Sequence, residues 1–195
     1  PVDERWCLVH ATHMVPGETV ALARSGAVAG LCPITEADLG DGVFDAQRFV
    51  EAGGLYGIGS DSNVRIALAE ELRLLEYGQR LTRRRRNLFA RDGRSTGRAL
   101  YEDALAGGAR ALGRGSGSIA PGRLADLVAV DPTGLLVADH GGDRVLDGWL
   151  FAGDDHIVRD VWSAGRHIVT QGRHVRGEAV RQAFRRALDE LREGL

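Results

Sequence analysis

The chain has 195 residues, enough to bury a substantial core, and its 44% hydrophobic and 27% charged residues are the balance of a soluble globular protein of one domain or slightly more. A net charge of −2 gives no one-sided positive field, which sets aside general binding to nucleic acid or to an anionic membrane. No apolar run approaches the roughly 20 residues that span a bilayer, and Pro1-Val2-Asp3-Glu4-Arg5 is not a signal-peptide pattern.

Residues 6–10 form the first expected strand, ending in His10. A helix over 16–25, closed by Gly26, leads to a strand over 27–32 that Pro33 stops. A helix over 45–52, closed by Gly53-Gly54, leads to a third strand over 55–59, followed by Ser60-Asp61-Ser62. This βαβαβ alternation predicts parallel strands with right-handed crossovers, in a (β/α)8 barrel or an open doubly wound sheet. The strand begins almost at the first residue, without initiator methionine or edge-protecting segment, and this predicts a cut through a domain. Cys7 and Cys32 sit in apolar strand runs, where small buried thiols are expected, and two cysteines make no disulfide framework; a reducing cytoplasm fits.

Residues 64–81 give the longest helical pattern. Leu68, Leu72, Leu75 and Leu81 fall roughly on one face, and Glu70, Glu71, Arg73, Glu76 and Arg80 among positions expected to be solvated. Thr82 to Arg94 is a charged connector. Its run Arg83-Arg84-Arg85-Arg86 is a solvated helix end that meets the helix dipole favourably rather than a nucleic-acid site. A helix over 96–112 follows, with Ser95-Thr96 as candidate caps and Leu100, Leu105 and Leu112 as its larger apolar residues. After the glycine-rich 113–118 the pattern turns to β, with a strand over 125–131 and a hairpin of 157–162 and 167–170 about Ala164-Gly165. An amphipathic helix over 178–192, built on Val180, Phe184, Leu188 and Leu191, ends the pattern. The expected units are therefore a barrel portion over 1–115, a β-sandwich segment over 116–177 and a terminal helix over 178–195.

Two residues of metal-site chemistry, His10 and Asp61, end two of the expected strands. In a parallel α/β barrel that end carries catalysis. Asp61, beside the small residues Gly59 and Ser60, suits a metal ligand and a proton acceptor, and His10 suits a group that steadies developing charge. Each alone is more often a turn, cap or structural residue. His13 invites a two-histidine reading but is favoured as a bystander. Glu36 and Asp38 are expected in a loop at the mouth, or as caps of a short helix. Arg65 is a weak candidate for a carboxylate partner, and His140, His156, His167 and His174 are read as structural or surface residues.

Taken together, Leu8-Val9-His10-Ala11-Thr12-His13, Gly30 to Gly42 (with Cys32-Pro33-Ile34-Thr35-Glu36-Ala37) and Gly57-Ile58-Gly59-Ser60-Asp61-Ser62 resemble strands six, seven and eight of the amidohydrolase superfamily barrel. Within it, the Cys32-to-Gly42 run and the helix Glu70 to Leu81 are similar to the formimidoylglutamate deiminases. Gly117 to Val128 resembles the strand that returns to the superfamily's β-sandwich. The resemblance implies an α/β fold, the C-terminal part of a TIM-type barrel with part of a small β-sandwich. It implies a small-molecule substrate, a zinc ion, a homodimer in the complete enzyme, and hydrolysis of a formimino C=N bond in histidine degradation. It also implies that Asp61 is a zinc ligand and proton acceptor and that His10 is catalytic. The family's remaining ligands, a His-x-His pair and a His with a downstream Glu, have no counterpart here, so this polypeptide alone is expected to bind zinc poorly and to be inactive. Two other readings compete: a superfamily deaminase acting on a nucleobase or related amidine, and a non-catalytic remnant serving as a binding module.

Overall fold

The computed structural model describes residues 1–62, 64–134 and 141–194. Three short strands, β1 (Cys7–Val9), β2 (Val28–Leu31) and β3 (Leu55–Ile58), form a parallel sheet in that order, with Cys7 opposite Val28 and Val28 opposite Leu55. The crossovers carry α1 (Pro16–Ser25), α2 (Pro33–Leu39) and α3 (Ala46–Glu51). Parallel pairing puts the three carboxyl ends side by side, and these ends bring His10, the start of α2 and Asp61 together. Next come α4 (Leu68–Arg83) and α5 (Thr96–Ala111). An antiparallel sheet then contains β4 (Leu127–Val130), β5 (Val158–Ser163), β6 (Arg166–Thr170) and β7 (Arg173–His174) in sequential order. Ala164 and Gly165 both have positive φ (48° and 79°), as a two-residue hairpin turn matched to strand twist requires.

The core lies between the parallel sheet and its helices. Ala29, Leu31, Phe49 and Tyr56 are fully buried; Phe44 and Phe49 pack edge to face at 5.3 Å, Tyr56 and Phe89 at 6.1 Å. The Tyr56 hydroxyl donates to the Leu100 carbonyl at 3.2 Å, so this polar tip is satisfied inside the core. The packed face of α5 is built on small residues: Ala99, Leu100, Ala104 and Gly107 are buried, whereas Leu105 and Leu112 face solvent. A Cβ at Gly107 would lie 1.9 Å from the Tyr56 carbonyl oxygen, and one at Gly57 would lie 3.1 Å from Gly108 Cα. The helix therefore rests almost backbone to backbone on β3.

Several expectations need correction. The polar side of α4 is not simply solvated: Glu71, Glu76 and Gln79 are buried, while Leu81 is exposed. Each buried group has a partner from outside its own turn. Glu76 accepts from Arg80 Nε at 2.6 Å and from the Leu88 N–H at 3.1 Å. Gln79 donates to the Phe44 carbonyl at 2.8 Å. Glu71 accepts from the Ile34 N–H at 2.8 Å. The helix starts at Leu68 rather than near residue 64. Cys7 is exposed rather than buried, because among the described residues β1 pairs with β2 on one side and with no strand on the other; Cys32 is buried as expected.

A helix not expected from the sequence, α6 (Asp143–Ala152), packs back on α4 and α5, and carboxylates on it and just after it cap both. Asp147 Oδ1 accepts from the Gly97 N–H at 2.7 Å and Asp143 Oδ2 from the Ser95 N–H at 3.2 Å, while Asp155 Oδ1 accepts from the Ala69 N–H at 3.1 Å. Carboxylates remote in sequence thus satisfy orphan N–H groups of two helix starts. The last helix, α7 (Gly177–Glu193), has no buried residue, and Val180, Phe184 and Leu191 are exposed.

Candidate active site

His10 and Asp61 leave their strands in the left-handed backbone region, with φ of 64° and 43°, and Ala11 follows at 53°. Non-glycine residues held there are uncommon and cluster at functional sites. The Gly30 carbonyl accepts from the His10 N–H at 2.8 Å, anchoring the β1 exit to β2, and the Leu31 carbonyl accepts from the Gly59 N–H at 3.0 Å, anchoring the β3 exit to the other side of β2. The result brings His10 Nε2 to 3.8 Å from Asp61 Oδ2. Both side chains remain partly open to solvent, at 34% and 42% exposure, so a ligand can reach them.

Behind them stands Glu36, expected in a loop or as the cap of a short helix. Glu36 lies on α2 and is buried, whereas Asp38 on the same helix is exposed. Glu36 Oε1 accepts from the Cys32 N–H at 2.9 Å and lies 3.3 Å from His10 Nδ1. Burial pushes its carboxyl above the ordinary range, with the Cys32 N–H and His10 pulling the other way. Its neighbour Thr35, also buried, contacts the opposite side of the site. The Thr35 hydroxyl is 2.9 Å from the Ser62 hydroxyl, donates to the Ser60 carbonyl at 3.4 Å and accepts from the Ser62 N–H at 3.4 Å. Burial, with the charges of Glu36 and Asp61, pushes the Cys32 thiol up to about 11, which makes it a poor nucleophile or thiolate ligand near neutrality.

The other candidates fall away from this centre. His13 is exposed on the rim of an open cleft of about 500 Å³ that His10, Thr12 and Asp41 also line. Arg65 is paired with Glu70. His167 sits 3.0 Å from Asp160 and stacks on Trp162 at 4.5 Å, and His174 accepts from the Arg176 N–H at 3.1 Å, both in the antiparallel sheet; His156 is exposed in the turn before β5. His140 lies outside the described residues. Arg83 pairs with Asp45, and Arg84 to Arg86 are exposed.

Glu71 supports the site from below. Burial is the main cause of a carboxyl pKa pushed up to about 7, with the Ile34 N–H opposing and the charges of Glu36 and Glu70 adding to the rise. Its second oxygen, Oε1, has no hydrogen-bond partner among the described residues. Because the folded-state pKa lies above the unfolded value of 4.5, the stabilisation is fully present below about pH 4.5 and is lost as pH rises through about 7. That loss amounts to on the order of 3 kcal/mol. Glu71→Gln keeps an acceptor for the Ile34 N–H and removes the ionisation, so it is expected to unfold at higher urea than the parent at pH 8 and alike at pH 4.5. Parallel pH dependences in the two proteins would contradict this.

Among the described residues no group of three or more His, Cys, Asp or Glu side chains could hold a metal ion. Asp61, half open at a strand exit beside His10, fits one ligand of a metal centre; the set does not complete one.

The formimidoylglutamate deiminase of Pseudomonas aeruginosa is 56% identical over 191 residues, 97% of this chain and 42% of that protein, so the chain spans less than half the length of this relative. Among solved structures, an amidohydrolase from Brucella melitensis superposes with a TM-score of 0.91 at 49% identity, covering 97% of this chain and 42% of that one. An adenosine deaminase from Xanthomonas campestris with bound zinc superposes at 0.83 with 27% identity, covering 98% and 44%. The α/β architecture is part of the barrel fold of these neighbours. A model of the amidohydrolase family matches residues 2–168, and the chain belongs to that family.

Proposed function

We propose that the protein carrying this chain is a cytoplasmic, zinc-dependent deiminase that hydrolyses N-formimino-L-glutamate to N-formyl-L-glutamate and ammonia, with residues 1–115 as barrel, 116–177 as sandwich segment and 178–195 as terminal helix. The observation that carries the reading is the meeting of His10 and Asp61 at adjacent strand ends, both on left-handed backbone and both reachable by a ligand. The high identity to the Pseudomonas aeruginosa deiminase across nearly the whole chain supports the choice of substrate.

In this reading Asp61 is a ligand of the metal and His10 is not. A bound divalent cation of this kind would lower the pKa of water to roughly 7. Asp61 accepts the proton of the attacking water through its carboxylate. Water oxygen adds to the amidine carbon, and His10 Nε2 steadies the charge of the tetrahedral adduct. The proton taken from water passes to the imino nitrogen; the hydroxyl proton of the adduct follows as the C–N bond to that nitrogen breaks and the C=O bond forms, and ammonia leaves with the formyl product.

Nucleobase deamination is the rival, favoured by the likeness to the Xanthomonas campestris adenosine deaminase. The full-length protein, assayed separately with N-formimino-L-glutamate and adenosine, is expected to release ammonia from the first alone. Ammonia from adenosine and none from the formimino substrate would reverse the assignment.

A further inference from the structure

We infer that Thr35 and Glu36, adjacent on α2, are the positioning residues of the site: Glu36 fixes the tautomer and orientation of His10, and Thr35 holds the turn that carries Asp61. The inference rests on the reading of His10 and Asp61 as the working pair, and it adds two residues that touch no reacting atom.

Glu36 Oε1 accepts from the Cys32 N–H, and in the ionised carboxylate it is an acceptor toward His10 Nδ1 as well, so the ring nitrogen facing it is the donor. With the proton held on Nδ1, Nε2 is the nitrogen left to take a proton on the side of Asp61, and the Nε2–H so formed is the group that steadies the adduct. A carboxylate behind a histidine sets ring orientation in this way at many active sites. Thr35 acts on the other partner: its buried hydroxyl contacts Ser60 and Ser62, the residues flanking Asp61, and so braces a left-handed turn that a free loop would relax. Because consecutive residues of one short helix hold the two sides, and the Ile34 N–H ties that helix to Glu71, the separation of His10 and Asp61 is set by α2 as a rigid spacer.

The test uses the full-length protein and two pairs of variants. Glu36→Leu is expected to lower kcat about 10- to 100-fold with KM within about twofold, and Glu36→Gln, which keeps an acceptor at Oε1, to restore most of it. Thr35→Val is expected to fall likewise, and Thr35→Ser to recover. Nitrogen-15 NMR of His10 supplies a readout independent of turnover: neutral His10 should carry its proton on Nδ1 in the parent and in Glu36→Gln, and show mixed tautomers in Glu36→Leu. If Glu36→Leu does not fold, Glu36→Gln and the threonine pair decide. Equal kcat in Glu36→Leu and the parent, no recovery in the conservative variants, or an Nε2-protonated neutral ring in the parent would overturn the inference. A His10→Ala control separates the two claims. Full turnover in it would refute the role of His10, while the tautomer measurement would still decide whether Glu36 sets the ring.

Discussion

Asp61→Asn in the full-length protein is expected to lower kcat for the proposed deimination by about 10³-fold or more, with little change in stability. The substitution preserves volume and shape and removes only the charge and the proton acceptor. Asparagine tolerates left-handed backbone better than other non-glycine residues, so the φ of 43° adds no new strain. The turn itself is held through Ser60, Ser62 and Thr35 rather than through the Asp61 carboxylate. Loss of activity with an unchanged melting temperature would therefore report chemistry, and turnover close to that of the parent would remove Asp61 from the mechanism. The zinc content of the purified variant, measured beside the parent, should fall as well, since one ligand is weakened.

The largest effect on stability is expected at Gly107. An added Cβ would overlap the Tyr56 carbonyl and come within 2.9 Å of the Tyr56 nitrogen, and the obstacle is the hydrogen-bonded backbone of β3, which cannot swing aside. Gly107→Ala should destabilise the protein by about 3 kcal/mol or more, the upper range for overpacking, despite the roughly 1 kcal/mol that alanine gains over glycine within a helix. The neighbouring Gly108 is the control. A Cβ there meets nothing within 4 Å, so Gly108→Ala should be neutral or stabilising by up to about 1 kcal/mol. Opposite signs at consecutive glycines, read from thermal or urea unfolding, would establish the close seating of α5 on β3. Equal effects would refute it.

Much of this architecture is legible in the sequence, since periodicity reports burial directly. The three parallel strands, α1, α3, α5 and the β5–β6 hairpin all lie within a residue or two of where spacing, caps and turn residues put them, as does α7. What sequence reading misses has physical causes. Pro33 ends β2 but also opens α2 at its first turn, where the fixed φ and missing N–H of proline are no handicap, so the one residue serves both as a strand stop and as a helix start. Helix α6 lacks a side-chain cap and begins after Gly142, yet Leu146, Trp149 and Leu150 repeat at helical spacing and gave an available signal. The buried positions of Glu36, Glu71 and Glu76 follow from partners far along the chain, such as the Ile34 N–H, or from a local arginine that compensates the charge. Composition and periodicity assign such residues to the surface, because unpaired carboxylates belong there.

The candidate site divides in the same way. His10 and Asp61 stand out by their position at strand ends; Glu36 is placed near the mouth beside Asp38, but the parts that Thr35 and Glu36 play come only from the contacts of α2 with both neighbours.

Anomalous diffraction at the zinc edge from crystals of the full-length protein tests the central claim most directly. The account predicts a zinc peak with one Asp61 carboxylate oxygen at about 2.0–2.2 Å, and His10 beside it, outside the coordination sphere, with Nδ1 turned to Glu36. A zinc ion bound away from Asp61, or one ligated by His10 with Glu36 released, would contradict it.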